Sequence, residues 1–141
     1  MKKYVWLGLV AATVFCCKNS GVDKKDEGLK YKETVTINDV PKATLTFFDV
    51  VDSRCPEGVT CIWGGNATVD LLLSGVTTEG GVNEHVKLCI GTCDAKVAGD
   101  TLVRNFAGQQ YRFVLQDVKP YPKVEQGKKE DYRILLKIEK K

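Results

Sequence analysis

The chain has 141 residues, 43% apolar and 28% charged, which suffices for one hydrophobic core and falls short of two. Its formal charge of +3 drops to +1 once Lys2 and Lys3 are set aside with the leading segment. No basic block remains, which excludes the electrostatic footprint of a nucleic-acid-binding protein. A lone histidine, His85, excludes a His cluster for metal or acid–base work.

Lys2 and Lys3 precede an uncharged apolar run, residues 4–15, of signal-peptide length and too short for the roughly 20 residues that span a bilayer. The pair Cys16-Cys17 follows directly. Val14-Phe15-Cys16-Cys17 resembles the lipobox of bacterial lipoproteins, in which the signal is cut before a cysteine that carries the lipid. That resemblance implies a signal peptide over 1–16 and lipidation, palmitate included, at Cys17, with Cys16 as the alternative. It also implies membrane attachment through the N-terminal lipid anchor and a place in the cell envelope. By resemblance to proteobacterial sorting rules, the absence of aspartate after Cys17 implies the outer membrane. Residues 18–30, KNSGVDKKDEGLK, are polar and mixed in charge, so the lipidated segment 17–30 is expected as a flexible tether. A single domain over 31–141 follows.

In that domain, YKETVTI (31–37) places Tyr31, Val35 and Ile37 on one parity, as a half-buried strand does. Asn38-Asp39 and Pro41 mark a turn before a strand over 43–51, where Ala43, Leu45 and Phe47 alternate with threonines and the pattern then breaks as at a bulge. DSRCPEGVTCIWGG (52–65) is a cysteine-bounded loop. Beyond it, Ala67, Val69, Leu71 and Leu73 form the cleanest strand face in the chain (66–74). A glycine and threonine turn (75–81) leads to a strand over 82–90, a second cysteine loop closed by Gly99-Asp100, and a short strand over 101–106. In 109–118, Tyr111, Phe113 and Leu115 share a face while Val118 falls off parity, another bulge signal. Pro120 and Pro122 end that strand. After a charged loop (123–130), Tyr132, Ile134, Leu136 and Ile138 define the last one.

About seven short strands with turns between them and no helical period predict an all-β fold. It is expected as an antiparallel β-sandwich with Greek-key or immunoglobulin-like connections, or a small β-barrel.

With two cysteines assigned to the signal and anchor, Cys55, Cys61, Cys89 and Cys93 remain, and an exported chain meets oxidising conditions. Local disulfides, Cys55 with Cys61 and Cys89 with Cys93, are expected because each pair brackets a turn-rich segment. Crossed pairing is the alternative. Zinc is the rival, but neither spacing is C-x2-C, so no metal is expected.

No nucleophile elbow, phosphate loop or catalytic pair stands out, so no cofactor and no enzymatic activity are expected. Trp63 is expected to pack as a core plug over the Cys55–Cys61 bridge, with presentation to a ligand as the alternative. Arg54 is expected to pair locally with a carboxylate or carbonyl. Arg54, Glu57 and Trp63 are the candidate binding residues, if the fold leaves them at the rim. The pattern formed by Asp52, Ser53, Arg54, Cys55, Pro56, Val59, Cys61, Trp63, Gly64 and Ala67 resembles a motif of uncharacterised exported or lipid-anchored bacterial domains. It implies a fold and an address but no mechanism.

The expected function is a lipid-anchored envelope protein whose sandwich domain binds a protein or glycan. The alternatives are a structural envelope component, for which the 54–60 loop would be packed, and an enzyme inhibitor inserting that loop, for which it would be exposed and rigid.

Overall fold

The structure, a computed structural model, describes residues 27–125 and 127–141. The expected signal peptide, both candidate lipidation cysteines and the tether up to residue 26 lie outside the described residues.

Eight strands form two four-stranded antiparallel sheets that pack face to face. In chain order they are β1 (Leu29–Lys30), β2 (Thr34–Asn38), β3 (Ala43–Asp52), β4 (Asn66–Thr77), β5 (Gly80–Gly91), β6 (Thr101–Phe106), β7 (Gln109–Lys119) and β8 (Arg133–Lys140). One sheet has the order β2-β3-β4-β5 and the other β1-β8-β7-β6. The fold is a sandwich and not a closed barrel. All paired strands except β1 and β8 are consecutive in sequence: β2 to β5 and β6 to β8 follow one another in space, and β1 completes the second sheet beside β8. Short turns join β2 to β3, β4 to β5 and β6 to β7, whereas longer segments, 53–65 and 120–132, join β3 to β4 and β7 to β8.

The core follows from alternation. Ala67, Val69, Leu71 and Leu73 of β4 are all fully buried. They join Ala43, Leu45 and Phe47 of β3 and face Tyr111, Phe113 and Leu115 of β7. Both expected bulges are present, as register shifts between Phe47 and Asp49 and between Leu115 and Asp117. The first one has a lasting effect: inward residues change from odd to even positions, so Val50 and then Asp52 point between the sheets.

The domain begins earlier than expected. Leu29, assigned to the tether, is buried and lies opposite Ile134, with Lys30 opposite Arg133. A single large apolar residue in a polar stretch shows no period, and only the free edge of β8 determines that it pairs. The chain then turns at Lys32, whose φ is +62°, so the expected strand over 31–37 starts at Thr34.

Tyr111 carries its hydroxyl into this interior, where no described residue hydrogen-bonds it. Burial raises the phenol pKa above its ordinary value. An unsatisfied buried hydroxyl costs roughly 1–3 kcal/mol. Tyr111→Phe is therefore expected to leave stability unchanged or raise it by about 1 kcal/mol, whereas Leu71→Ala should cost about 2–5 kcal/mol through the cavity it opens. Urea unfolding midpoints at constant m-value check both.

Candidate functional site

Asp52, the last residue of β3, enters the sandwich end as an almost fully buried carboxylate, its side chain 3% exposed. An isolated charge there would be very costly, and Arg54 supplies the partner. Arg54 Nε and Nη2 donate to Asp52 Oδ1 and Oδ2 at 2.8 and 2.6 Å, a two-pronged fork, and the Arg54 backbone N–H adds a third bond at 3.1 Å. Burial alone would weaken the Arg54 cation. The hydrogen bonds and charge of Asp52 outweigh that and hold its pKa above the ordinary value.

Two distant segments close over the pair. Arg54 Nη2 donates to the Pro120 carbonyl at 3.2 Å, and its guanidinium lies 4.6 Å from the centre of the Tyr121 ring. The Tyr132 hydroxyl donates to Asp52 Oδ2 at 3.1 Å, and burial together with the Asp52 charge raises that phenol's pKa. Farther out, Glu57 N donates to the Pro122 carbonyl at 3.0 Å.

The cysteine loop stands on this base. Cys55 and Cys61 are bonded, with Cα atoms 5.9 Å apart, as are Cys89 and Cys93, at 6.0 Å. The expected local pairing is the one present, and all four thiols are oxidised. Cys55 N donates to the Gly64 carbonyl at 2.9 Å, so the loop re-enters β4 beside the point where it left β3. That return needs Gly65: its φ is +69°, and a Cβ there would lie 1.9 Å from the Ser53 carbonyl oxygen. The second loop packs alongside, since Thr92 N donates to the Gly65 carbonyl and Asn66 Nδ2 to the Thr92 carbonyl. Both disulfides thus sit at one end of the sandwich.

The candidate binding residues separate. Arg54, expected at the rim if exposed, is only 8% exposed and builds the base of the loop. Trp63, expected as a core plug, is 61% exposed, and the residues buried at the base of the loop are Asp52 and Arg54. Glu57 is exposed. Beside Trp63, Ile62 is completely exposed, and Val59 is also open to solvent. The loop and its return to β4 therefore expose three apolar side chains, Val59, Ile62 and Trp63, with Glu57 as the one charge between the two bonded cysteines. Ile62 and Val59 escaped notice as site residues, although an Ile-Trp pair following a loop-closing cysteine is a legible sign of apolar groups with no strand face to occupy.

The disulfides place the protein in an oxidising, extracytoplasmic compartment. Among the described residues no helix is long and apolar enough to cross a membrane.

Removing one partner of a buried ion pair strands the other. Arg54→Ala is expected to cost about 3 kcal/mol, whereas breaking the small ring with Cys55→Ser and Cys61→Ser together should cost about 2 kcal/mol. Adding Asp52→Leu to an Arg54→Met variant should recover most of the loss, since no charge is then left buried. Denaturant titrations of the four variants and the wild type measure these differences.

Comparison with known proteins finds no matching family, no matching curated protein and no matching solved structure. Function must therefore be argued from the site itself.

Proposed function

We propose that the protein is a lipid-anchored component of the bacterial cell envelope, attached to the outer membrane through Cys17, whose sandwich domain binds a partner protein through its disulfide-closed rim loop. The lipobox resemblance and the extracytoplasmic disulfides support the address. The observation that carries the binding role is the exposure of Val59, Ile62 and Trp63 on a loop tied at its neck.

Exposed apolar groups on a free chain collapse onto their own protein, and here the disulfide, the Gly64 carbonyl bond and the buried fork prevent that. A rigid loop gives up little entropy on binding, and tryptophan is the residue type most often found carrying interface energy. A purely structural module would keep this loop packed, so its exposure counts against that alternative. The same exposure and rigidity favour a second reading, in which the loop enters the cleft of an envelope enzyme and blocks it.

Two measurements test the proposal. Metabolic labelling with a fatty-acid probe should mark the wild-type chain and Cys16→Ser but not Cys17→Ser. Affinity capture from envelope extract should retain a partner on the wild-type protein and lose at least tenfold of it with Ile62→Ser and Trp63→Ser combined. Equal retention by the double variant would sink the binding role of the loop. If the captured partner is an enzyme whose turnover the wild type blocks and the variant does not, the second reading holds.

A further inference from the structure

The outer face of the β1-β8-β7-β6 sheet collects positive charge. Its strands turn Lys30, Arg112, Lys119, Arg133 and Lys137 to solvent against two carboxylates, Asp117 and Glu139, so five cations and two anions leave a net charge of +3. Three of the cations stand side by side across three strands: Lys30 of β1 lies opposite Arg133 of β8, and Arg133 opposite Lys119 of β7. Neighbouring strands are about 4.8 Å apart, and like charges directly opposite each other destabilise a ladder. The carboxylates leave the row largely uncompensated. Asp117 accepts from the Val118 N–H at 2.8 Å and lies 3.7 Å from Lys119, while Glu139 is shared by Lys137 at 2.6 Å and Arg112 at 3.3 Å. In the flanking turns, Glu33 accepts from the Lys30 N–H and Asp131 from the Lys128 N–H. The Lys30 and Arg133 side chains form no ion pair among the described residues.

An external anion lying along such a row relieves the repulsion within it. The face is a sheet surface and not a cleft, with Val103, Val114 and Leu135 spread among the cations. A single small anion meets only the row, whereas an extended anionic surface meets the row, Arg112 and Lys137 together. The position of the face names that surface. β1 is the first described strand, and Lys30 stands 13 residues after Cys17. A chain of that length reaches at most about 45 Å, so an anchor at Cys17 holds this edge of the sheet close to the bilayer that carries it. The opposite outer face has no comparable row: it is lined by Thr34, Thr36, Thr44 and Thr46, and by Asp49 opposite Asp70. Each Lys or Arg brought to an anionic lipid surface adds to the attraction, which fades within a Debye length of about 8 Å.

We propose that the β1-β8-β7-β6 face docks on anionic phospholipid headgroups of the membrane that carries the anchor, with Lys30, Arg133 and Lys119 as the contact row and Arg112 and Lys137 behind it. The proposal rests on the Cys17 anchor for the nearness of the bilayer and on the face itself for the charge. Docking lays the sandwich on its side and leaves the cysteine loop, at the sandwich end, open to its partner.

The full chain, expressed with its signal and purified from membranes, is reconstituted into vesicles of zwitterionic phospholipid alone or with about one third anionic phospholipid. A fluorophore at Val103→Cys, on the basic face, or at Val51→Cys, 62% exposed on the opposite face, reports nearness to a lipid-borne quencher. Anionic vesicles are expected to quench the Val103→Cys label at least threefold more than neutral ones, and the Val51→Cys label equally in both. Lys30→Gln combined with Arg133→Gln should remove that difference, as should about 0.5 M salt, where the Debye length is about 4 Å. Both side chains are exposed and face like charges, so melting temperatures should not fall. Equal quenching of the Val103→Cys label in the two kinds of vesicle, or an unchanged difference in the double variant, would overturn the proposal. Flotation tests the anchor separately. A chain that floats with neutral vesicles but shows no such difference keeps its anchor and loses this face, and one that floats with anionic vesicles alone keeps the face and loses the anchor.

Discussion

The buried ion pair of Asp52 and Arg54 is the constraint on which the functional end of the molecule depends. Its origin is a backbone irregularity: the bulge at Phe48 shifts the inward parity of β3, and without it Asp52 would face solvent. Once turned inward, the carboxylate cannot remain unpaired. Arg54, two residues on, is short enough in sequence separation to reach it and long enough in side chain to touch the 120–132 segment as well. One extra residue in a strand thereby decides where the cysteine loop leaves the sheet, where Pro120 sits and how Tyr121 is held.

Stability alone does not explain such a device. Apolar residues of similar volume would fill the sandwich end as well or better, since desolvating two charges offsets much of their attraction. What the fork adds is direction, because a guanidinium bound at both prongs has one orientation and presents its remaining face and donor to fixed neighbours. The disulfide acts differently. It does not aim the loop but limits how far the tip departs from its neck, so one interaction orients and the other restrains.

Much of the architecture was legible in the chain. Strict alternation in 66–74 and 109–118 marks strands because each buries one face, and the parity breaks after Phe47 and before Val118 are the two bulges. The disulfides followed from spacing and compartment, and a local partner for Arg54, carboxylate or carbonyl, was expected from its neighbours. The failures share a cause. Leu29 is a strand residue only because β8 lies beside it, and the buried side chain at the base of the cysteine loop is Arg54 and not Trp63. Likewise, the partners of the pair on the far segment lie 66 and 80 residues away, and no local pattern announces them. The buried ion pair and its two covers depend on those long contacts, which is why the architecture was easier to read than the site.

The two-residue strand β1 has a mechanical consequence. Any pull on the N-terminal side of the domain enters at Leu29 and Lys30, the shortest ladder in either sheet. Few bonds resist it there, so β1 peels from β8 before the longer ladders feel the load. The rim is tied to that edge, because Lys30 lies opposite Arg133 and Tyr31 N donates to the carbonyl of Tyr132, whose hydroxyl holds Asp52. Tension on the edge is therefore passed through Tyr132 to the carboxylate of Asp52, which couples the shortest ladder of the domain to its buried ion pair.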